Sequence, residues 1–211
     1  MKLLHIDSSV LGDSSASRQI SAAIVTALSD TIPGLKVVRR DLEAAPLPHL
    51  SARLLPTIQP DPSRQNDTIT AETDQAAAVL QEFLDADIVV IGAPMYNFTV
   101  STQLKAWIDR ILIVGKTFGY TEAGPTGLAG GKRVIVASSR GGLYGPGTPS
   151  EANDFHETYL NAVFRFIGIK TIEIVRAEGL AYGREQREAA LLAAFASIPS
   201  LAAASAATLA A

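Results

Sequence analysis

Three short stretches of this sequence gather groups that suit an anion and a flat, polar-edged ring. The first is Asp7-Ser8-Ser9, then Gly12 and Ser14-Ser15-Ala16-Ser17-Arg18, just ahead of an apolar-periodic segment. At a helix start, unpaired amides and the positive dipole end favour a phosphate. Ser15 or Ser17 could instead be a plain helix cap, but a whole hydroxyl-rich loop favours the anion. Neither Gly-x-Gly-x-x-Gly nor a Walker-type Gly-Lys-Ser/Thr occurs, so a mononucleotide is expected rather than a dinucleotide. The second stretch is Gly92-Ala93-Pro94-Met95-Tyr96-Asn97-Phe98. Its backbone amides and Asn97 can pair with ring edges while Met95, Tyr96 and Phe98 supply contact surface. The third is Ser138-Ser139-Arg140-Gly141-Gly142, whose paired glycines let the backbone approach a planar ligand. Taken singly, the last two stretches read equally well as an aromatic-lined turn and a glycine turn with Arg140 in solvent. Together they describe one site.

Those stretches share a site only if the elements before them end side by side. Five apolar or β-branched runs read as strands: Lys2–Ile6, Leu35–Arg40, Ile88–Gly92, Arg133–Ser138 and Ile172–Arg176. Helical stripes separate most of them, including Ile20, Ile24 and Leu28, then Val79, Leu80 and Phe83, then Leu104, Trp107, Ile108 and Ile111. A fourth helix is expected to open at Thr148, with Pro149 at its first position, Glu151 closing a capping box and Gly168 as its stop. A fifth runs from Glu185 through Phe195, with an alanine-rich tail of low complexity, helical or frayed, from about 199. Alternating strands and helices imply a parallel sheet covered on both faces. With right-handed crossovers, the expected order is 2-1-3-4-5, a three-layer α/β sandwich with its ligand crevice beside strands 1 and 3. Two stretches, Glu43–Asn66 and Gly115–Gly131, read as irregular covering loops. The βα alternation resumes after each, so residues 1–211 are expected to form a single domain.

Composition removes whole classes of chemistry. The absence of cysteine excludes disulfides, thiolate nucleophiles and iron–sulfur clusters, so redox work requires a bound cofactor. A net charge of −3 without a basic cluster argues against a nucleic-acid partner. No run nears the ~20 apolar residues a membrane span needs, which makes the cytosol the default location. His5, His49 and His156 lack metal-ligand spacing, and no Gly-x-Ser-x-Gly elbow positions a serine nucleophile. His5 is expected to be a satisfied strand histidine and Trp107 a core residue. No side chain stands out as catalytic, and no metal is expected.

The loops Pro94-Met95-Tyr96-Asn97-Phe98 and Ser139-Arg140-Gly141-Gly142, with Ser15-Ala16-Ser17 and Phe166-Ile167-Gly168-Ile169, resemble the bacterial FMN-dependent NADH-azoreductases. The likeness extends from Leu3 to about Phe195 and includes Thr117-Phe118 and Ala177-Glu178-Gly179. It implies a flavodoxin-like fold and a homodimer with non-covalent FMN at the subunit interface. It also implies electron transfer from NADH or NADPH to quinones and azo compounds. By the same resemblance Ser9, Ser15, Ala16 and Ser17 hold the phosphate end. Met95, Tyr96, Asn97 and Phe98, with Ser139, Arg140, Gly141 and Gly142, then border the ribityl chain and the isoalloxazine. Where some members carry a histidine after the paired glycines, this chain has Leu143-Tyr144, which removes a histidine proton donor. An electron-carrier flavodoxin is the alternative, although the two long loops suit a walled cleft better than an exposed flavin edge.

Overall fold

A computed structural model describes the backbone of residues 1–51, 67–170 and 172–209, and their side chains except at 67–70 and 204–209. Its strands are β1 (Lys2–Asp7), β2 (Lys36–Asp41), β3 (Ile88–Tyr96), β4 (Thr99–Val100), β5 (Phe118–Thr121), β6 (Gly124–Gly127), β7 (Arg133–Ser139) and β8 (Ile172–Ala177). Its helices are α1 (Ala16–Thr31), α2 (Asp67–Asp85), α3 (Thr102–Ile111), α4 (Glu157–Phe166) and α5 (Arg184–Leu209). The main sheet runs β2-β1-β3-β7-β8 with every neighbour parallel, which is the expected order.

Successive strand side chains point to opposite faces, and each face is apolar. On one, Leu4, Ile6, Val89, Ile91 and Val136 meet Phe83 of α2, Trp107 of α3 and Leu160 and Phe164 of α4. On the other, Leu3, Ile88, Val90 and Ile135 meet Ile20, Ile24 and Leu28 of α1 and Ala194 and Ile198 of α5. The result is the three-layer sandwich. Trp107 is fully buried, edge-on to Phe83 with ring centroids 5.8 Å apart, as a core residue should be.

Three local features depart from the sequence expectation, and a fourth settles what it left open. First, β3 does not stop at Gly92 but continues to Tyr96, where Met95 and Tyr96 pair antiparallel with Val100 and Thr99. Pro94 is tolerated there because β1 pairs β3 only as far as Gly92, leaving that side of the strand free. Second, the stretch expected to be irregular at 115–131 contains the β5–β6 hairpin. Third, the helix expected from Thr148 begins only at Glu157, after a separate 3-10 turn at Glu151–Asn153. Asp154 supplies its real cap, its Oδ1 accepting from the amides of His156 at 3.1 Å and Glu157 at 2.9 Å. Glu151 instead accepts from Gly147 N–H. Fourth, α5 passes through Pro199, with Ile198 and Ala202 buried against α1 and the sheet. Tertiary burial there outweighs the helix-breaking cost of one proline. Of the proline-rich stretch 43–66, residues 52–66 lie outside the described residues.

The β5–β6 hairpin is pinned to the end of α4, where the Ala129 amide donates to Ile167 O at 2.8 Å. Gly168 does end that helix, at φ 99, and its backbone lies against Gly127. A Cβ on Gly127 would fall inside the van der Waals radius of Gly168 backbone atoms, which cannot swing aside as a side-chain tip could. Gly127→Ala should therefore destabilise the protein by about 1–3 kcal/mol, as overpacking does. A urea midpoint unchanged from the parent would show that the hairpin does not rest on this contact.

Candidate functional site

The crevice lies at the C-terminal ends of β1, β3 and β7. At one end, Ser15 is the N-cap of α1 and its Oγ accepts from the Arg18 amide at 3.3 Å. Ser17 is thus not the cap; its buried hydroxyl lies 3.0 Å from Ser15 Oγ. The amides of Ala16 and Ser17, in the first turn, have no acceptor within the helix. Arg18 draws the loop down, donating to Ser9 O at 3.2 and 2.9 Å and pairing bidentately with Asp41 at 2.5 and 2.7 Å. That guanidinium holds the Asp41 carboxyl well below the usual carboxylate range.

A buried polar set supports this loop. Asp7, nearly inaccessible, accepts from Ser21 Oγ at 3.0 Å and from Arg39 at 2.9 Å, and lies 3.3 Å from His5 Nε2. Burial opposes its ionisation, but the bonds from His5, Arg39 and Ser21 outweigh that and lower its pKa. His5 is a satisfied strand histidine, also 2.9 Å from Ser21 Oγ. Gly92 leaves the necessary room, since a Cβ there would sit 2.9 Å from Asp7 Oδ1.

At the other end, the β3–β4 turn carries the residues expected to face a planar ring. Tyr96 OH lies 3.0 Å from Ser9 Oγ, so the second stretch joins the first directly. Asn97 and Phe98 form a two-residue turn with φ of 48° and 74°, the left-handed pair of a type I′ hairpin. Asn tolerates that region; an aromatic residue rarely does. Phe98 nevertheless stays 48% exposed, its ring edge-on to Tyr144 at 6.2 Å. Strain held at an exposed position beside a cleft is a mark of a binding surface.

The third stretch differs most from its sequence reading. The Arg140 side chain is neither solvated nor aimed into the cleft but buried, at 1% exposure. It pairs with Glu157, with Asp154 at 3.0 Å and with Glu178 at 3.1 Å, while its Nε donates to Ser138 Oγ at 3.3 Å. Burial opposes ionisation of Glu157 too, but Arg176 and Arg140 beside it hold its carboxyl below the ordinary range. The backbone of 140–142 is zipped to the next strand end: Gly179, Leu180 and Ala181 amides donate to Gly142, Arg140 and Gly141 carbonyls at 3.0, 3.1 and 3.0 Å.

Of the residues singled out in the sequence, Ser9, Ser15, Ala16, Met95, Tyr96, Ser139, Arg140 and Gly141 line one cleft of about 260 Å³. Ser17 lies directly behind it, bonded to Ser15, and Asn97, Phe98 and Gly142 border those that line it. Pro94, from the same stretch, joins them, and Leu11, Leu180, Ala181 and Arg187, which were not anticipated, complete the lining. The last three reach the cleft through backbone pairing and the docking of α5, for which the sequence carries no local pattern.

The chain is similar to known proteins over nearly its full length. Residues 1–201 match the family model described as the flavodoxin-like fold. A protein of Methylocella silvestris named FMN-dependent NADH:quinone oxidoreductase is 56% identical over 191 residues, 90% of this chain and 94% of its own. One of Pseudomonas aeruginosa, named FMN-dependent NADH:quinone oxidoreductase 2, is 55% identical, covering 92% of this chain and 95% of its own. The crystal structure of an FMN-dependent NADH-azoreductase from Bacillus anthracis in complex with FMN aligns with a TM-score of 0.87. It is 27% identical, with 97% of this chain and 99% of that one covered.

His156, packed at the Arg140 cluster, yields a pH test. It is fully buried, and among the described residues neither ring nitrogen has a hydrogen-bond partner. Burial, then the Arg140 charge, push its pKa down to about 4 against the pull of Glu157 and Asp154. An unfolded chain would protonate it near ~6.5, so between these values the unfolded state binds more protons. Stability should therefore fall as pH drops from about 6.5 toward 4, by up to ~1.4 kcal/mol per pH unit. His156→Leu should flatten the fall above pH ~5, before the carboxylates titrate. Equal slopes of urea-unfolding free energy against pH in parent and variant would contradict this.

Proposed function

The chain belongs to the flavodoxin-like family, whose members more than half identical to it are named FMN-dependent NADH:quinone oxidoreductases, and we propose that it performs that reaction. The observation that carries the reading is one cleft with a hydroxyl-rich helix start at one end and a flat wall of Met95, Tyr96, Ser139 and Gly141 at the other. Those donors fit FMN: hydroxyls and free first-turn amides for the phosphate, backbone amides and apolar surface for the ring. Bound there, FMN would supply the two-electron relay that a chain without cysteine cannot.

The protein's own part is to bind and orient. Ser9, Ser15, Ala16 and Ser17 hold the phosphate end; Met95 to Phe98 set the ring plane. Ser139, Gly141 and Gly142 offer donors to the ring edge that gains negative charge on reduction. No side-chain acid or base is assigned, and protons for the acceptor come from water. NADH or NADPH serves as donor, and quinones or aromatic azo compounds as acceptors, each using the same face in turn. The cleft volume falls just below the ~300–1,000 Å³ of sites that bury most of a small ligand. Exposed Leu11 lies on its lining and exposed Phe98 and Phe155 flank the β3–β4 turn, so a second protomer supplies the missing wall. Of the aromatics on α4 and the β5–β6 hairpin, Phe164 is core, whereas Phe166 and Phe118 form a partly exposed pair at 4.8 Å beside Tyr120.

Denatured protein should release a flavin that chromatographs as FMN; FAD, or no flavin after reconstitution, would sink the assignment. Double-reciprocal plots at several fixed acceptor concentrations should be parallel, because one cleft serves both half-reactions. Intersecting lines across several acceptors would mean a ternary complex instead. Light scattering should give a dimer at working concentration. A monomer retaining full FMN and activity would refute the shared site.

A further inference from the structure

The cleft has an unassigned charge. Among its described lining residues only Arg140 and Arg187 are cationic, and Arg140 is committed to three carboxylates. Arg187, in the first turn of α5, makes no ion pair among the described residues. Its one side-chain hydrogen bond among those residues runs from Nη2 to Ser14 O at 3.1 Å, across 173 residues of sequence. That bond sets the guanidinium beside the loop whose next residues, Ser15 and Ala16, line the cleft. A guanidinium has five N–H donors, so most of this one's capacity is left over.

The charge balance at that end is otherwise incomplete. A phosphate monoester carries about −1.5 to −2 charges near neutral pH. Hydroxyls and amides are neutral, and a helix N-terminus offers only about half a positive charge. Arg18 is spent on Asp41 and on Ser9 O. We propose that Arg187 is a cofactor-binding residue, its guanidinium closing on the FMN phosphate from the start of α5. The proposal rests on the FMN reading above and extends it: α5, remote in sequence, becomes part of the cofactor site. Arg187 also ties flavin retention to the docking of α5, whose first turn and Ser14 are joined by the same side chain.

The full-length chain, stripped of flavin, is titrated with FMN and with riboflavin, which lacks the phosphate, following quenching of flavin fluorescence. Arg187→Gln can keep a hydrogen bond to Ser14 O but not the charge, and Arg187→Lys keeps the charge. The glutamine variant should lose about tenfold or more in FMN affinity, the scale of a charge-assisted contact, with riboflavin affinity unchanged. The lysine variant should recover most of that loss. Melting temperatures should match the parent, because Arg187 is part-exposed on a first turn. Unchanged FMN affinity, or an equal loss for riboflavin, would overturn the assignment. So would a raised KM for NADH with intact FMN affinity, which would place the cation on the donor's phosphates. Parent protein that binds neither flavin would instead overturn the FMN reading itself.

Discussion

A guanidinium at the end of β7 sits out of water, and that single requirement organises one whole rim of the cleft. A guanidinium taken out of water needs carboxylates beside it. They arrive from separate segments: Asp154 from the turn that caps α4, Glu157 from the first turn of that helix, and Glu178 from the loop after β8. Glu178 also accepts from the Tyr144 amide at 2.8 Å, and Glu157 pairs with Arg176. The loop of paired glycines, the start of α4 and the end of β8 are thereby fixed relative to one another. Removing Arg140 would leave three carboxylates gathered around a lost cation, a loss of about 3–5 kcal/mol. The set is an anchor for backbone rather than a reagent.

The opposite rim solves a similar problem for a charge of the other sign. Asp7 is buried under the serine loop, satisfied by His5, Ser21 and Arg39, and Gly92 is small because Asp7 occupies the space a side chain would need. Between the two rims the chain accepts strain, turning through Asn97 and Phe98 with both residues left-handed. A strained turn persists only where its surroundings over-determine it. Here the pairing of Met95 and Tyr96 with Val100 and Thr99, and the Tyr96 contact to Ser9, do so.

Much of this was legible in the sequence, for definite reasons. The five main strands were, because a parallel sheet buried on both faces imposes continuous apolar runs such as Ile88–Ile91, and the βα alternation restricts their order. The serine loop and the residues from Met95 to Phe98 were legible because hydroxyls and aromatics clustered after strands have few structural uses. What stayed hidden depends on distant partners. Thr148 to Glu151 has the letters of a capping box, yet the cap went to Asp154, which also answers Arg140. The β5–β6 hairpin is glycine-rich and short, with Gly127 chosen for contact with Gly168 rather than for strand propensity. The tail after Pro199 reads as helical or frayed alike; Arg133 donates to Leu201 O at 2.8 Å and Ala202 is buried, so packing carries α5 onward. Arg140 gives no local sign that its partners lie 14 to 38 residues downstream.

The treatment of charge bears on what the cleft can do. Around it, cations are matched to carboxylates: Arg18 to Asp41, Arg140 to Asp154, Glu157 and Glu178. What remains along the wall at the Met95 and Ser139 end is hydroxyl, amide and apolar surface. A single uncompensated charge some 6 Å from a redox ring would bias its two charge states by about 3 kcal/mol at an effective dielectric near ~20. For a two-electron couple that is a shift of roughly 60 mV. A relay that must both accept and release electrons works best when neither state is trapped, and a neutral wall with donors at the ring edge achieves this. A cation is better placed at the phosphate end, where charge stays constant through the cycle. In the proposed binding mode Arg187, bonded to Ser14 O, stands at that end, and Arg140, nearer the proposed ring stretch, is neutralised before it can act there.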